Sequence, residues 1–260
     1  MWQQKRVSVV FPAYNEASNI ARAVKEFQAV GLIDEILVVD NNSSDGTGDL
    51  AAKAGARVVR EQRQGYGNAL QCGMREATGD LVILAEPDGT FMGKDIMKLL
   101  VYSDDFQMVM GTRTASLFIW QGANMGWFLK WGNWIVAKFL QVIFNGPALT
   151  DMGCTLRLLH RSALKKIVPN LTVGGSHLLP EIVTLALIAR IPMVEISVNY
   201  CPRVGESKIT GQIHRAFKVG FAMIGLVLWY RLTRWGMWQH KPKRGRRQNL
   251  GISARSHGKR

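Results

Sequence analysis

The sequence predicts an α/β protein built on a Rossmann-like, doubly wound and mostly parallel sheet. Short apolar runs rich in β-branched residues recur at 6–12, 34–40 and 81–84, and such runs are typical of strands buried on both faces. Segments long enough for a helix separate them, which is the βαβ pattern of a parallel sheet. Carboxylates directly follow two of the runs. Because ligands bind at the carboxyl ends of the strands in such sheets, we expect the functional site at that edge.

The predicted elements follow one another in a regular order. After the strand at 6–12, a turn at 12–19 leads into a helix over about 20–30, with Ser18 or Asn19 as its N-cap. Further along we expect strands at 34–40, 57–60, 81–84 and 107–112, a strand or strand pair at 193–200, and helices at 47–54 and from 65 to about 77.

Composition allows a sizeable core, because 47% of the 260 residues are hydrophobic. Three cysteines far apart predict neither a disulfide framework nor a zinc site, and they favour a reducing compartment. The N-terminus leads directly into the first strand, so we expect no secretory signal. We expect a catalytic domain at 1–210, a membrane-associated helical segment at 211–240 and a disordered basic tail at 241–260.

The formal net charge of +14 is unevenly distributed. Eight Lys or Arg residues and no acid lie in 241–260. Such a tail suits RNA, a localisation signal or anionic lipid. It follows an aromatic, apolar stretch at 217–238, where basic residues fit the cytoplasmic flank of a membrane segment. No aromatic residue interleaves the charges, so binding of nucleic acid is not expected.

The acids Glu86 and Asp88 follow the strand at 81–84, with Pro87 and Gly89 making a turn. Two closely spaced oxygen ligands suit Mg²⁺ or Mn²⁺, with phosphate oxygens completing the shell. The alternative is an ordinary acidic turn after a core strand. A nicotinamide-binding domain is excluded, because no Gly-x-Gly-x-x-Gly follows the first strand.

A series of motifs carries a family resemblance. They are Pro-Ala-Tyr-Asn-Glu (12–16), Val-Val-Asp-Asn-Asn-Ser-Ser-Asp-Gly-Thr (38–47), Gly-Tyr-Gly-Asn-Ala (65–69), Ala-Thr-Gly-Asp (77–80) and Glu-Pro-Asp-Gly (86–89). Together they resemble glycosyltransferase family 2, which has the GT-A fold. Later motifs resemble its dolichyl- or polyprenyl-phosphate sugar synthase branch: Gly-Thr-Arg (111–113), Asp-Met-Gly-Cys-Thr-Leu-Arg (151–157), Leu-Pro-Glu (179–181) and Arg-Val-Gly-Glu-Ser-Lys (203–208).

The resemblance implies an inverting transferase at the cytoplasmic face of a membrane. It would move a sugar from a GDP- or UDP-sugar to a polyprenyl- or dolichyl-type lipid phosphate, with Mg²⁺ or Mn²⁺. The base pocket would be formed by Pro12, Tyr14, Glu16 and Asp40, and the metal shell by Asp88, Glu86 and Thr90. Phosphates would be held by Arg113, Arg203, Ser207 and Lys208. The branch often has a second arginine after Arg113; here Lys130 is its substitute, with Lys138 behind it.

The acceptor decides whether a general base is needed. A lipid monophosphate has a second pKa of about 6, as phosphoserine has, and is already a nucleophile at pH 7. A hydroxyl acceptor on another lipid or a glycan would need a base, and Asp151 is the candidate under that alternative. Asp45 is assigned to a turn. A remote alternative is a basic nucleic-acid-binding protein that uses 241–260.

Two segments suit a membrane surface. On a helical wheel of residues 127–144, Lys130, Asn133, Lys138 and Gln141 share one arc, and apolar residues oppose them. This pattern predicts a helix in a lipid interface, and the alternative is a helix packed on the catalytic domain. The uncharged run 219–230 is too short to span a bilayer. We therefore expect a second interfacial or re-entrant helix, with a single tilted span as the alternative.

Overall fold

The computed structural model describes residues 1–123, 127–204 and 213–233. Its strands are β1 Val7–Ala13, β2 Glu35–Asp40, β3 Arg57–Arg60, β4 Leu81–Leu84, β5 Met108–Thr112, β6 Arg157–His160 and β7 Met193–Ser197. Its α-helices are α1 Ile20–Gln28, α2 Thr47–Lys53, α3 Tyr66–Glu76, α4 Ile96–Tyr102, α5 Trp127–Phe144, α6 Arg161–Ile167, α7 Leu178–Ile188 and α8 Ile213–Thr233.

The seven strands form one sheet in the order β3-β2-β1-β4-β6-β5-β7 across the described part of the chain. β2 and β4 both pair in parallel with the central β1, and β3 and β7 extend the sheet in parallel. β6 is antiparallel to both of its neighbours, β4 and β5. The predicted mostly parallel α/β sheet is therefore confirmed, and the inserted antiparallel β6 is an element that the sequence did not predict.

The core lies on both faces of the sheet. All seven residues of β1 and all four of β4 are buried, which explains why these strands read as uninterrupted apolar runs. On one face, α3 lies very close to the sheet. A Cβ added at Gly73 would overlap the side chain of Val10 and crowd that of Val39. This close packing fixes the distance between α3 and the strands β1 and β2.

Helix α5 has the predicted bounds, 127–144, and packs on the domain. Val136, Ala137, Leu140 and Phe144 are buried in the core that also takes up α7 and part of α8. Ile135 and Val142, on the predicted apolar arc, remain exposed at 52% and 78%. The alternative of packing on the catalytic domain is therefore realised for part of the helix, while the interfacial role of its exposed residues stays a prediction.

Helix α8 packs against α5 and α7. Tyr230 is fully buried, and its hydroxyl donates to Glu181 at 2.7 Å and to the carbonyl of Asn170 at 3.1 Å. Within the residues described, no helix combines the length and the apolar character needed to cross a bilayer. The predicted basic tail, 241–260, lies outside the described residues.

Candidate functional site

The turn after β4 presents Asp88 at the carboxyl edge of the sheet. Gly89 adopts a φ of +81°, which a residue with a Cβ rarely takes, and so permits the sharp turn. One oxygen of Asp88, Oδ1, accepts hydrogen bonds from the amide of Thr90 at 3.0 Å and from its hydroxyl at 2.6 Å. The other oxygen, Oδ2, is buried without a hydrogen-bond partner. Asp88 thus has one oxygen fixed by its own turn and one that makes no hydrogen bond and lies 3.4 Å from Arg203 Nε.

Residues 201–204 run alongside this turn. The amide of Cys201 donates to the carbonyl of Thr90, and the amide of Val204 donates to the carbonyl of Asp88, both at 2.9 Å. Arg203 is thereby brought to the acids: its Nε lies 3.4 Å from Asp88 Oδ2, and its Nη2 lies 3.5 Å from Glu16 Oε1. The Arg203 guanidinium thus lies between the carboxylates of Asp88 and Glu16. Ser207 and Lys208 of the same motif lie outside the described residues.

Asn19 links Glu16 and residues 201–204 to the first helix, α1. Its side-chain amide donates to Glu16 Oε2 at 2.9 Å and to the carbonyl of Val204 at 3.0 Å. Asn19 stands at the N-cap position of α1 but makes no side-chain capping hydrogen bond. The expected capping role is therefore corrected: the side chain connects Glu16 to 201–204 instead.

The loops after β1 and β2 are joined by hydrogen bonds. Asp45 accepts from the amides of Ala17 and Thr47, at 3.0 and 3.1 Å, and from the Thr47 hydroxyl. Because these bonds stabilise its charged form more than burial opposes it, the pKa of Asp45 is lowered. The structural role expected for Asp45 is confirmed.

Asp40 ends β2 and is buried, and its Oδ1 accepts from the amide of Ser43 at 3.0 Å. Pro12 is buried in β1 opposite Val39, whereas Tyr14 in the following loop is 40% exposed. β2 and β4 flank β1, so Asp40 and the turn bearing Asp88 follow strands that lie about 10 Å apart, at the same edge of the sheet. Their contact with a nucleobase stays a prediction.

Glu86 is anchored by two hydroxyl groups. Its Oε1 accepts from the hydroxyl of Tyr66 at 3.1 Å and from that of Thr155 at 2.8 Å. These two hydroxyls also lie 2.6 Å from each other. Burial, together with the nearby Asp88 charge, raises the pKa of Glu86 to about 7. Sequence reasoning missed Tyr66 and Thr155 as site residues, although each stands within one of the motifs.

Arg113 follows β5 and forms a bidentate ion pair with Asp151. Its Nε and Nη2 lie 2.7 and 2.9 Å from the two carboxylate oxygens, and its Cζ lies 5.1 Å from the centre of the Tyr200 ring. Burial alone would raise the pKa of Asp151, but Arg113 lowers it below its usual value. The amide of Gly153 donates to the same carboxylate at 3.0 Å. Asp151 is therefore held as a charged partner of Arg113.

Two further groups surround this pair. Glu195 on β7 accepts from the amides of Thr150 and Asp151 at 2.7 and 2.9 Å, and so fixes the backbone that carries Asp151. Asn133 on α5 borders Gly153, where a Cβ would lie 2.7 Å from its Oδ1. Lys130 stands one turn earlier on α5 and is partly exposed. Its expected contact with the acceptor stays a prediction.

The donor set at the Asp88 turn fits a hard divalent cation. Asp88 Oδ2 is a buried carboxylate oxygen without a hydrogen bond, and carboxylate oxygens suit Mg²⁺ and Mn²⁺. The described residues contain no cluster of three or more His, Cys, Asp or Glu side chains that could bind a metal. Thr90 donates to Asp88 Oδ1, and its expected place in the metal shell stays a prediction.

Comparison with known proteins agrees with this architecture. The profile of Glycosyl transferase family 2 matches residues 8–168. The uncharacterized glycosyltransferase Rv0539 of Mycobacterium tuberculosis is 32% identical over 209 residues, which cover 80% of this chain and 91% of that protein. The low-salt glycan biosynthesis hexosyltransferase Agl6 of Haloferax volcanii is 29% identical over 209 residues, covering 78% of this chain and 49% of Agl6.

Solved structures show the same fold. Glucosyl-3-phosphoglycerate synthase of M. tuberculosis with Mn²⁺, UDP and glucosyl-3-phosphoglycerate superimposes with a TM-score of 0.67 at 19% identity, covering 88% of this chain and 80% of that one. The same enzyme with Mn²⁺, UDP-glucose and phosphoglyceric acid gives a TM-score of 0.67 at 20% identity with the same coverage. The expected use of Mg²⁺ or Mn²⁺ agrees with these neighbours. By its profile match and by its similarity to Rv0539, the chain belongs to glycosyltransferase family 2.

Proposed function

We propose that this glycosyltransferase moves a hexose from a UDP-sugar to the phosphate of a polyprenyl-type lipid at the cytoplasmic face of a membrane, with inversion at the anomeric carbon. The observation that carries the proposal is the position of Arg113, a largely buried cation (13% exposed) paired with Asp151 just after β5, a few residues before the exposed Leu117 and Trp120.

The donor half of the site would use the acids at the carboxyl edge. Asp88 would hold Mg²⁺ or Mn²⁺ through Oδ2, with Glu86 beside it, and Asp40 would meet the nucleoside. The metal would supply charge neutralisation for the departing diphosphate. Arg203 contributes a second positive charge at the same place, since its guanidinium already lies beside Asp88 and Glu16. A UDP-sugar is preferred over a GDP-sugar because the structural neighbours were crystallised with UDP or UDP-glucose.

The acceptor half favours a phosphate over a hydroxyl. A phosphate dianion needs no general base, and positioning by cations is then the main task of the protein. Asp151 is the base candidate for a hydroxyl acceptor, but both of its oxygens already accept hydrogen bonds from Arg113, and one also accepts from Gly153. Its lowered pKa further weakens it as a proton acceptor. Arg113 pairs with Asp151 through Nε and Nη2, so it would bind the incoming phosphate through its remaining nitrogen, Nη1.

Exposed apolar residues near Arg113 support a lipid acceptor. The segment between Arg113 and α5 runs beside Tyr200, whose ring contacts Arg113. The amide of Trp120 donates to the carbonyl of Tyr200 at 2.9 Å. Leu117 in this segment is 95% exposed, and Trp120 is 47% exposed. The same kind of residue is exposed on α5 and α8, namely Trp131, Trp134, Ile135, Val142, Phe221, Leu228, Trp229 and Leu232. Exposed apolar and tryptophan side chains suit contact with the tail of a membrane-bound acceptor.

The proposal is tested by transfer of labelled sugar. The full chain is incubated with UDP-[¹⁴C]glucose and Mn²⁺ and offered, in separate reactions, polyprenyl phosphate in phospholipid vesicles, phosphoglycerate, or the polyprenyl alcohol in the same vesicles. We expect label in an acid-labile lipid product from the phosphate alone. GDP-sugars and other UDP-hexoses are tested in parallel. Transfer to the alcohol would favour the hydroxyl alternative, and failure of every donor to label the lipid phosphate would overturn the proposal.

A further inference from the structure

The anchoring of Glu86 has a functional consequence. Its carboxylate stands two residues before Asp88, yet its side chain has one more methylene than an aspartate and hence one more rotatable bond. Such a side chain loses more rotamer freedom when it is ordered for ligand binding. In the structure Oε1 accepts hydrogen bonds from Tyr66 and Thr155, at 3.1 and 2.8 Å. The two hydroxyls therefore fix an oxygen that would otherwise be mobile.

The hydroxyl of Tyr66 is itself held by rigid backbone. Tyr66 is the first residue of α3, and two residues later the amide of Asn68 donates to the carbonyl of Gly174 at 3.1 Å. Between them, a Cβ at Gly67 would lie 2.6 Å from the carbonyl oxygens of Val173 and Gly175. This close approach of two backbones leaves the start of α3 little room to move. Burial and the neighbouring Glu86 charge raise the pKa of the Tyr66 phenol, so it stays a hydrogen-bond donor.

Thr155 completes the arrangement from a third part of the chain. It is buried and precedes β6, the strand that pairs with β4 and thereby lies next to the turn bearing Glu86. Its hydroxyl lies within hydrogen-bonding distance of both Tyr66 and Glu86. Two hydroxyls from separate segments thus meet one carboxylate oxygen, which is a preorganised network rather than a single contact.

We propose that Tyr66 and Thr155 are positioning residues that hold Glu86 through Oε1 so that Oε2 would be oriented towards the cation that binds the donor's diphosphate. This inference rests on the proposed function of the Asp88 turn. Glu86 is then a fixed second carboxylate beside Asp88. Tyr66 and Thr155 contact neither donor nor metal and act only through Glu86.

The test measures binding of Mn²⁺ in the presence of UDP, by the electron paramagnetic resonance signal of free Mn²⁺. Tyr66→Phe removes one hydroxyl and keeps the ring, and we expect it to weaken Mn²⁺ binding about 10- to 100-fold, as loss of an outer-shell partner does. Thr155→Val, which removes the second hydroxyl at nearly constant volume, is expected to weaken it in the same direction. Circular dichroism confirms that each variant is folded.

A double-mutant cycle separates positioning from general structural support. In a Glu86→Gln background, Tyr66→Phe is expected to change Mn²⁺ binding less than twofold, because the oxygen that Tyr66 helps to position has been replaced by an NH₂ group that cannot bind a cation. Tyr230→Phe is the matched control: it also removes a buried hydroxyl that donates to a carboxylate, that of Glu181, and it should lower stability but leave Mn²⁺ binding unchanged.

The outcomes distinguish this inference from the proposed function. Wild-type Mn²⁺ affinity in Tyr66→Phe, or an equal loss in both backgrounds, would overturn the positioning role while leaving the Asp88 site intact. If the wild-type chain itself binds no Mn²⁺ in the presence of UDP, both this inference and the metal-dependent donor site are wrong.

Discussion

Replacing Asp88 by asparagine keeps the size of the side chain and removes its charge. In the structure Oδ1 accepts from the amide and the hydroxyl of Thr90, and an asparagine oxygen can take over both bonds. The change therefore falls on Oδ2, which is buried and without a hydrogen bond. The variant should lose the anionic ligand for Mg²⁺ or Mn²⁺ without losing the turn.

The two effects of Asp88→Asn have different sizes. Loss of one preorganised charge-stabilising group lowers kcat by about 10²–10³-fold, and we expect at least this loss. For stability, a buried polar atom without a partner costs about 1–3 kcal/mol. The ion pair with Arg203 offsets little of this cost, about 0–1 kcal/mol, since Arg203 is 30% exposed. The amide nitrogen that replaces Oδ2 is also a buried polar group without a partner, so most of this cost persists. The free energy of unfolding should therefore change by no more than about 1 kcal/mol, or roughly 2–4 °C in Tm.

The assay combines sugar transfer with thermal unfolding of the same preparation. Asp45→Asn is the matched control, because Asp45 is a carboxylate at the same edge whose oxygens bind the amides of Ala17 and Thr47. It should lower stability by about 0.5–1.5 kcal/mol and retain turnover. Turnover at the wild-type level in Asp88→Asn, or a Tm several degrees lower, would refute the reasoning.

Three further variants test other parts of the structure. Arg113→Lys removes the bidentate pairing with Asp151. It should lower acceptor kcat/KM by roughly 10- to 100-fold, the equivalent of about 1.5–3 kcal/mol, while leaving the donor KM unchanged; an equal change for both substrates would contradict the assignment. Gly73→Ala places a methyl group against Val10 and should cost about 1–3 kcal/mol in chemical denaturation, so an unchanged midpoint would show that α3 can shift. Burial lowers the pKa of His160, so the unfolded chain binds more protons. Stability should therefore fall as the pH drops below about 6.5 towards the lowered folded-state pKa, by up to about 1.4 kcal/mol per pH unit. In His160→Gln this part of the pH dependence should disappear.

The elements that sequence reasoning found depend on local patterns. Buried parallel strands give uninterrupted apolar runs, so β1, β2 and β4 were located within a residue or two of their observed bounds. The edge position of Asp40 and Asp88 follows from the same runs, because a parallel strand that ends in an acid delivers that acid to the ligand edge.

The remaining features depend on contacts between distant segments. β6 has only four residues and begins and ends with Arg157 and His160, so its composition does not reveal a strand. Arg203 reaches Asp88 because two backbone hydrogen bonds join residues 201–204 to the turn after β4. Such pairing leaves no periodic signal in either segment. The motifs identified the site residues, and the three-dimensional structure supplied their partners.

The function of the Asp88 turn was also only partly predictable. The sequence indicated a pair of carboxylates, with Asp88 as the better metal ligand and Glu86, where the family motif has an aspartate, as the weaker one. The structure distinguishes them, since Glu86 is anchored by two hydroxyls while Asp88 has a buried oxygen without a hydrogen bond. The difference arises from Tyr66 and Thr155, which lie 20 and 69 residues from Glu86.

The most direct test of the account is the dependence of donor binding on a divalent cation. Isothermal titration of the wild-type chain with UDP-glucose is carried out once with Mn²⁺ and once with EDTA. If Asp88 and its turn hold a cation that carries the donor's diphosphate, binding should be at least tenfold tighter with Mn²⁺, and Asp88→Asn should abolish the difference. Equal affinity with Mn²⁺ and with EDTA in the wild-type chain would contradict the central claim.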